Sequence, residues 1–370
     1  MPLYMDRHDV SEEVTAEVVA QIHAEDLKIQ HKYGCRGLTY WFDADRKTAF
    51  CLVEAPNAEA IREMHKDAHG EVPNVIIEVA ADVVESFLGR IEDPEKSQKT
   101  KLNIINDPAF KTIMVARIKC MSIVKSADEK VNLHIESNNE NIVELIEKFK
   151  GRIVKHKDDY YLTSFQSVTK AVLCALAIQE LFNQTNTNYD SFVELNIGLS
   201  AGVPVGDKEG FFEDTVRIAE HLCDVVKGQV SVSSDVKELY ESENLNISID
   251  INYLNSISSN DEKFLNLLMD YTDKEWKNSS LNADSFSKSL GYSKSQLYRK
   301  MIYLTGKSPI SFINEYRLNK ALGLFNNKDM NISDVAYETG FNSPAYFSKC
   351  FQNNFGILPS TYIKHYTNAF

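Results

Sequence analysis

NISDVAYETGFNSPAYFSKCFQNNFGILPSTYIK, residues 331–364, decides how the C-terminal third of this chain folds. Ala336 stands four positions before Gly340, and the aromatic Phe341 follows. A small residue lets two helices approach, and glycine supplies the left-handed backbone of a tight turn between them. Asn342 or Ser343 then offers a helix cap, and Pro344 sits at the first helical position, where its missing N–H costs nothing. Phe347, Phe351 and Phe355 fall on one face of the helix that follows; Ala345, Ser348 and Lys349 fall on the other. The same grammar occurs 49 residues earlier in FSKSLGYSKSQLYRKM, residues 286–301, with Ser287, Gly291 and Tyr292. There Ser293 and Gln296 spell a capping box, Leu297, Met301 and Leu304 share one face, and Lys294, Ser295, Tyr298 and Arg299 share the opposite one. Two small, turn-broken helix pairs with outward polar faces are a helix-turn-helix unit made twice.

Residues 331–364 resemble the signature of the AraC/XylS family, including its G-F-x-S-x-x-Y-F-x-[KR]-x-F core and its closing G-x-x-P-x-x-Y. SKSQLYRKMIYLTGKSPISFINEYRLNKAL, residues 293–322, resembles the first recognition helix and linker helix of that family. The resemblance implies two helix-turn-helix units joined by one linker helix, here 309–325, with recognition helices entering adjacent major-groove segments of double-stranded DNA. By position, Ser295, Tyr298 and Arg299 fall where the family reads bases, with Lys294 beside them; Ser343, Pro344, Ala345, Ser348 and Lys349 are the second unit's equivalents. Pro344 and Ala345 offer no side-chain hydrogen bonds, so the first unit is expected to specify sequence and the second to hold phosphate.

Charge supports this division. The chain carries −13 overall, yet from Asp261 onward 13 Lys and Arg face 10 Asp and Glu, leaving −16 on residues 1–260. An acidic body should repel DNA and leave the tail to meet it. No apolar run approaches the roughly 18 residues of a membrane span. The opening MPLYMDRHDV has charges of both signs and no apolar core, so it does not read as a secretory signal. Six scattered cysteines without a CxxC pair fit a reducing cytoplasm. The expected organisation is multidomain α+β: two ferredoxin-like α/β sandwich domains followed by an all-α double helix-turn-helix domain. Residues 1–88 form the first, 89–108 a linker, 109–242 the second, 243–262 a linker or extra strand, and 263–370 the DNA-binding domain.

Residues 1–79 read strand, helix, strand, strand, helix, strand, at 3–7, 14–33, 38–42, 49–54, 57–69 and 75–79. This part holds five of the nine histidines: His8, His23, His31, His65 and His69. His65 and His69 stand i, i+4 and share a helix face, a spacing that suits a metal. MPLYMDRHDV, YGCRGLTYWFDADRKTAFCLVEAPN and HKDAHGEVPNVIIEV are similar to a small bacterial ferredoxin-fold family with nickel-binding members. The resemblance implies His8, His65 and His69 as ligands of nickel, or of zinc or copper, with His23 and Asp6 in support. Cys51 reads as a core thiol, and His31 as a surface residue near a helix end.

FKTIMVARIKC, FKGRIVKHKDDYYLTSF, LNIGLSAGVPVG, FFEDTVRIAEHL and GQVSVSSDV, in that order, resemble a class III nucleotide cyclase domain. Such cyclases need two aspartates for metal. The first falls at Arg117, a cation; the second, Asp159, is retained, but Asp158 replaces the glycine before it. The family's nucleotide-positioning Asn and Arg map to Arg217 and His221. No catalytic residues are therefore expected, and dimerisation or ligand sensing is the residual role. The whole reads as a homodimeric cytoplasmic transcription regulator under a metal or small-molecule effector, without a membrane partner. The competing readings are a cyclase fused to a regulator and a metal-storage protein.

Overall fold

The computed structural model describes residues 1–94, 102–120, 129–157, 159–185, 193–206, 210–226, 230–244, 254–325 and 330–366. In the first unit, β1 (Leu3–Asp9) lies between β3 (Thr48–Glu54) and β4 (Val75–Val79), and β2 (Arg36–Asp43) pairs outside β3, all antiparallel. The helices α1 (Ala16–Ile29) and α2 (Ala58–Ala68) cross over the sheet, and the Asn57 side chain caps α2 by accepting from Ala60 N–H. The order β2-β3-β1-β4 is the ferredoxin-like one expected of βαββαβ. A further helix, α3 (Ala81–Leu88), follows that the βαββαβ pattern does not include.

The second sheet has the order β10-β9-β8-β5-β7-β6. Its centre repeats the first: β5 (Lys111–Cys120), β6 (Arg152–Lys157), β7 (Tyr160–Phe165) and β8 (Val193–Gly202) are antiparallel neighbours in the same permutation. The short β9 (Val230–Val232) and β10 (Asn255–Ser256) extend it in parallel. The helices α4 (Glu129–Lys148) and α5 (Val168–Thr185) cover one face, with α7 (Ser234–Glu243) beside them, their core including Met114, Ala116, Tyr161, Ile146, Val172 and Ile178.

Each ferredoxin-like sheet has one face left bare by its helices, and the two bare faces bury one another. Leu3, Met5, Trp41, Phe50 and Leu52 pack with Ile113, Val115 and Leu162 in one cluster. This explains why TYWF and TAFCLV are continuous apolar runs: strands covered on both sides have no polar register. Tyr160, Phe212 and Val205 close the rim, and Arg7 donates to the Val205 carbonyl at 3.3 Å. The segment read as a linker, 89–108, is packed where it is described. The Tyr40 hydroxyl donates to the Asn103 carbonyl at 2.8 Å and accepts from Ile105 N–H at 2.9 Å, and Ile105 is buried.

The helix α6 (Glu213–Val225) completes the bare face of the second sheet and turns its other side to the C-terminal helices. It lies so close to β8 that a Cβ on Gly198 would stand 2.1 Å from the Ala219 carbonyl oxygen. Leu222 and Val225 share a core with Phe264, Leu268, Phe286, Leu297 and Met301. The C-terminal module is all helix: α8 (Ser259–Glu275), α9 (Ala283–Leu290), α10 (Lys294–Thr305), α11 (Pro309–Leu324), α12 (Ile332–Glu338), α13 (Pro344–Phe355) and α14 (Pro359–Tyr366). Among the described residues no helix is long and apolar enough to cross a membrane.

Candidate functional site

The two helix-turn-helix units form as their spelling dictates. In the first, Gly291 takes φ +73° after α9, and the Ser293–Gln296 capping box forms in both directions at the start of α10. In the second, Gly340 takes φ +79°, Ser343 rather than Asn342 caps α13, and Pro344 opens it. Leu297, Met301 and Leu304 are buried, as are Phe347, Phe351 and Phe355. The helix α11 runs between the units, its own N-cap Ser308 accepting from Ser311 N–H.

With the apolar faces committed, the opposite faces point to solvent. Lys294, Ser295, Tyr298 and Arg299 are exposed and line one shallow concavity. The Lys294 ammonium stands 2.7 Å from Asp284, both well exposed, a pair weak enough to yield to a phosphate. Among the described residues Arg299 makes one long contact, 3.3 Å, with the Ser295 carbonyl, so its guanidinium retains donors. In the second unit Ala345 and Lys349 are exposed, while Ser343 and Ser348 are half-buried and already engaged. Ser343 caps its helix, and the Ser348 hydroxyl donates to the Pro344 carbonyl at 2.8 Å. Tyr346, half exposed in the same helix and not among the expected residues, accepts at its hydroxyl from Asn314 of α11 at 3.0 Å. Its place in the Tyr-Phe pair of the quoted core was the available signal.

The N-terminal unit gathers titratable groups under α1 and α2. β1 alternates strictly: Leu3 and Met5 face the second sheet, whereas Asp6 and His8 face the helices. His65 of α2 sits between two carboxylates, with Nε2 3.0 Å from Asp6 and Nδ1 3.1 Å from Asp26. His69 Nε2 lies 3.2 Å from Asp26 and 3.1 Å from His65 Nδ1. His8 Nε2 reaches Asp6 at 3.3 Å, and Cys51 places its thiol in the Asp6–His8 group. His23 packs on the Tyr40 ring and stands 3.9 Å from Asp93. His31 is exposed on the short helical turn after α1.

Burial disfavours charge on His65, but hydrogen bonds and charge from Asp26 and Asp6 outweigh it and carry its pKa from 6.5 up to about 10. Burial would raise Asp6, yet His8 and His65 hold it far below the usual carboxylate range; Asp26 is lowered likewise by His65 and His69. Burial depresses the His23 imidazole and, with Asp6 nearby, lifts the Cys51 thiol.

These groups suit a metal ion. Donor atoms of Asp26, His65 and His69 stand 3.1–3.2 Å apart, the edge expected of a coordination shell with bonds of about 2.0–2.1 Å. Among the described residues Asp26 Oδ2 and His23 Nε2 are buried without a hydrogen-bond partner, and an orphaned buried carboxylate oxygen is costly unless a cation meets it. Of the five expected ligands, Asp6, His8, His65 and His69 fall in these groups, whereas His23 stands beside Tyr40 and Asp93 outside them. Two residues the spacing could not supply, Asp26 and Cys51, join them through tertiary packing alone.

At the cyclase-like positions the chain builds struts. Arg117 pairs with Asp224 at 3.0 Å and lies over the Tyr160 ring. Arg217 reaches Asp270 at 2.8 Å and His221 Nδ1 meets Asn266 at 3.1 Å, both tying α6 to α8. Asp159 lends its carbonyl to Ile118 N–H; Asp158 lies outside the described residues.

Residues 4–79 match the family described as Nickel responsive protein SCO4226-like, and residues 286–365 match a helix-turn-helix domain. The chain is 38% identical over 115 residues to histidine kinase P4 of Formosa agariphila, covering 31% of this chain and 8% of the kinase. It is 36% identical over 86 residues to the HTH-type transcriptional regulator ExsA of Pseudomonas aeruginosa, covering 23% of this chain and 29% of ExsA. Among solved structures, SCO4226 from Streptomyces coelicolor A3(2) is 31% identical, covering 21% of this chain and 94% of that one, at a TM-score of 0.20. An adenylate/guanylate cyclase/hydrolase from Silicibacter pomeroyi is 25% identical, covering 38% and 82%, at a TM-score of 0.32. The chain spans less than a third of the length of either curated relative.

Proposed function

We propose that this chain, whose residues 4–79 are a SCO4226-like nickel-responsive domain and whose C-terminal helices are an AraC-type helix-turn-helix domain, is a DNA-binding transcription regulator controlled by metal. The observation that carries the reading is the outward placement of Lys294, Ser295, Tyr298, Arg299 and Lys349 on two helices whose other faces are core. Arg299 reads a base edge and Lys349 holds phosphate. In binding assays on a duplex enriched from a random pool, Arg299→Ala weakens the enriched sequence by about 1–3 kcal/mol while sparing random DNA. Lys349→Ala weakens both alike and lowers the salt slope by about one. If neither variant changes affinity, the assignment of these faces to DNA fails.

Asp26, His65 and His69 would hold the ion, a borderline Lewis acid for which imidazole is a fitting ligand, with Asp6, His8 and Cys51 as a second group of donors across the His65 ring. His65 must give up a proton to serve. Calorimetry with Ni²⁺ at pH 8 therefore finds uptake with release of about one proton per ion, weakening as pH falls toward 6. Uptake without pH dependence would place the ion elsewhere. We read the middle domain as a non-catalytic spacer: its Arg117, Arg217 and His221 are spent on ion pairs and hydrogen bonds between elements.

A further inference from the structure

The relative placement of the two recognition helices converges on one side chain. Arg317, on α11, is 5% exposed and contributes nothing to the DNA-facing surface. Its Nε donates to the Trp276 carbonyl at 2.8 Å and its Nη2 to the Asn278 carbonyl at 2.7 Å. Trp276 is the C-cap of α8, where helix carbonyls lack internal partners and carry partial negative charge, and Asn278 lies in the turn that follows. The same guanidinium lies over the Phe341 ring of the second unit, 5.8 Å from its centroid. Gly340 presses on this joint from the other side, since a Cβ there would stand 2.7 Å from the Trp276 oxygen and 3.0 Å from Arg317 Nε. Asn342 adds a bond to the Ser279 carbonyl at 3.2 Å. One planar cation thus touches the end of α8, the linker helix and the turn that launches α13.

We propose that Arg317 is a positioning residue for DNA reading: it fixes the distance and angle between α10 and α13, so that both meet one duplex in register. The inference rests on the DNA-binding reading above. Two joined modules bind strongly only where the joint holds them at the separation the target presents. Guanidinium suits the task because its fixed fork spans two carbonyls at once, whereas an ammonium is a point charge that satisfies one.

The test uses the full chain, the duplex enriched by the wild type, and a second duplex with one base pair inserted between the two contacted segments. The wild type prefers the original by about tenfold or more. Arg317→Met binds the original about 10–100-fold more weakly, and its preference over the inserted duplex falls below about threefold, because a loose joint tolerates either spacing. Arg317→Lys, keeping the charge, lies between. Thermal unfolding is recorded for each protein. Should the Met variant be unfolded, the Lys variant is read for the same ratio. A wild-type spacing preference in a folded variant overturns the proposal, whatever the loss of affinity, since that pattern belongs to plain destabilisation. Failure of the wild type to enrich any duplex overturns the DNA-binding reading instead, and this one with it.

Discussion

Gly340→Ala destabilises the second helix-turn-helix unit by about 2–5 kcal/mol, whereas Gly291→Ala costs the first about 1 kcal/mol. Both glycines have left-handed backbones, φ +79° and +73°, so both substitutions pay the conformational penalty of an L residue there. They differ in what the new methyl meets. At Gly291 nothing lies within 4 Å; at Gly340 it would be driven against the Trp276 and Lys277 carbonyls at 2.7 and 2.9 Å. Those oxygens are backbone at a helix end, and Trp276 O is already bonded to Arg317, so neither can retreat cheaply. Hydrogen exchange resolved to residues 283–305 and 332–355 measures the two effects separately. Equal losses at both positions would show that the contact with the end of α8 carries no energy.

His65→Ala in the metal-free protein costs about 3–5 kcal/mol, because it strips the counter-charge from two buried carboxylates. Asp6 and Asp26 are 1% and 3% exposed, and His65 bridges them. The pH dependence identifies the cause. His65 keeps its proton to about 10 in the folded chain and to 6.5 when unfolded. Its stabilisation is therefore complete below 6.5 and disappears as pH rises toward 10. Asp6 runs oppositely: its pKa is depressed, so its contribution is present above 3.8 and is lost on acidification. Urea unfolding of the metal-free wild type should weaken between pH 6.5 and 10, and that decline should vanish in His65→Ala. A decline of the same size in the variant would assign it to another group. Added nickel reverses the trend in the wild type, since a cation replaces the proton between the same carboxylates.

How far the sequence could be read depended on the range of the interactions involved. The capping box at Ser293, the proline at Pro344 and the apolar stripes of α10 and α13 are local, and local grammar placed both recognition helices correctly. The βαββαβ order of residues 1–79 was equally legible from alternating strands and turn residues. The i, i+4 pair at the end of α2 was legible for the same reason, and the fold places both imidazoles in one group of donors with Asp26. Asp26, by contrast, lies 39 residues from His65, on a different helix, and only the packing of α1 on α2 brings them to 3.1 Å. Cys51 is the core thiol expected of its strand, and only the fold shows that its neighbours on that face include Asp6 and His8. The place of Ser348 on the polar face is visible in sequence, while its bond to Pro344 is not.

What the amino-acid order determined by itself is the elements of residues 1–79 and the two recognition helices, with the apolar side of each, since these follow from bonds and contacts within a few residues. Tertiary structure decided how the elements face one another. It buried the bare sides of two like sheets together, wedged α6 between sheet and helices, and set Arg317 at the joint of the two units. Those arrangements depend on shape complementarity between surfaces far apart in the chain, where apolar pattern specifies that a face is covered and leaves open by what.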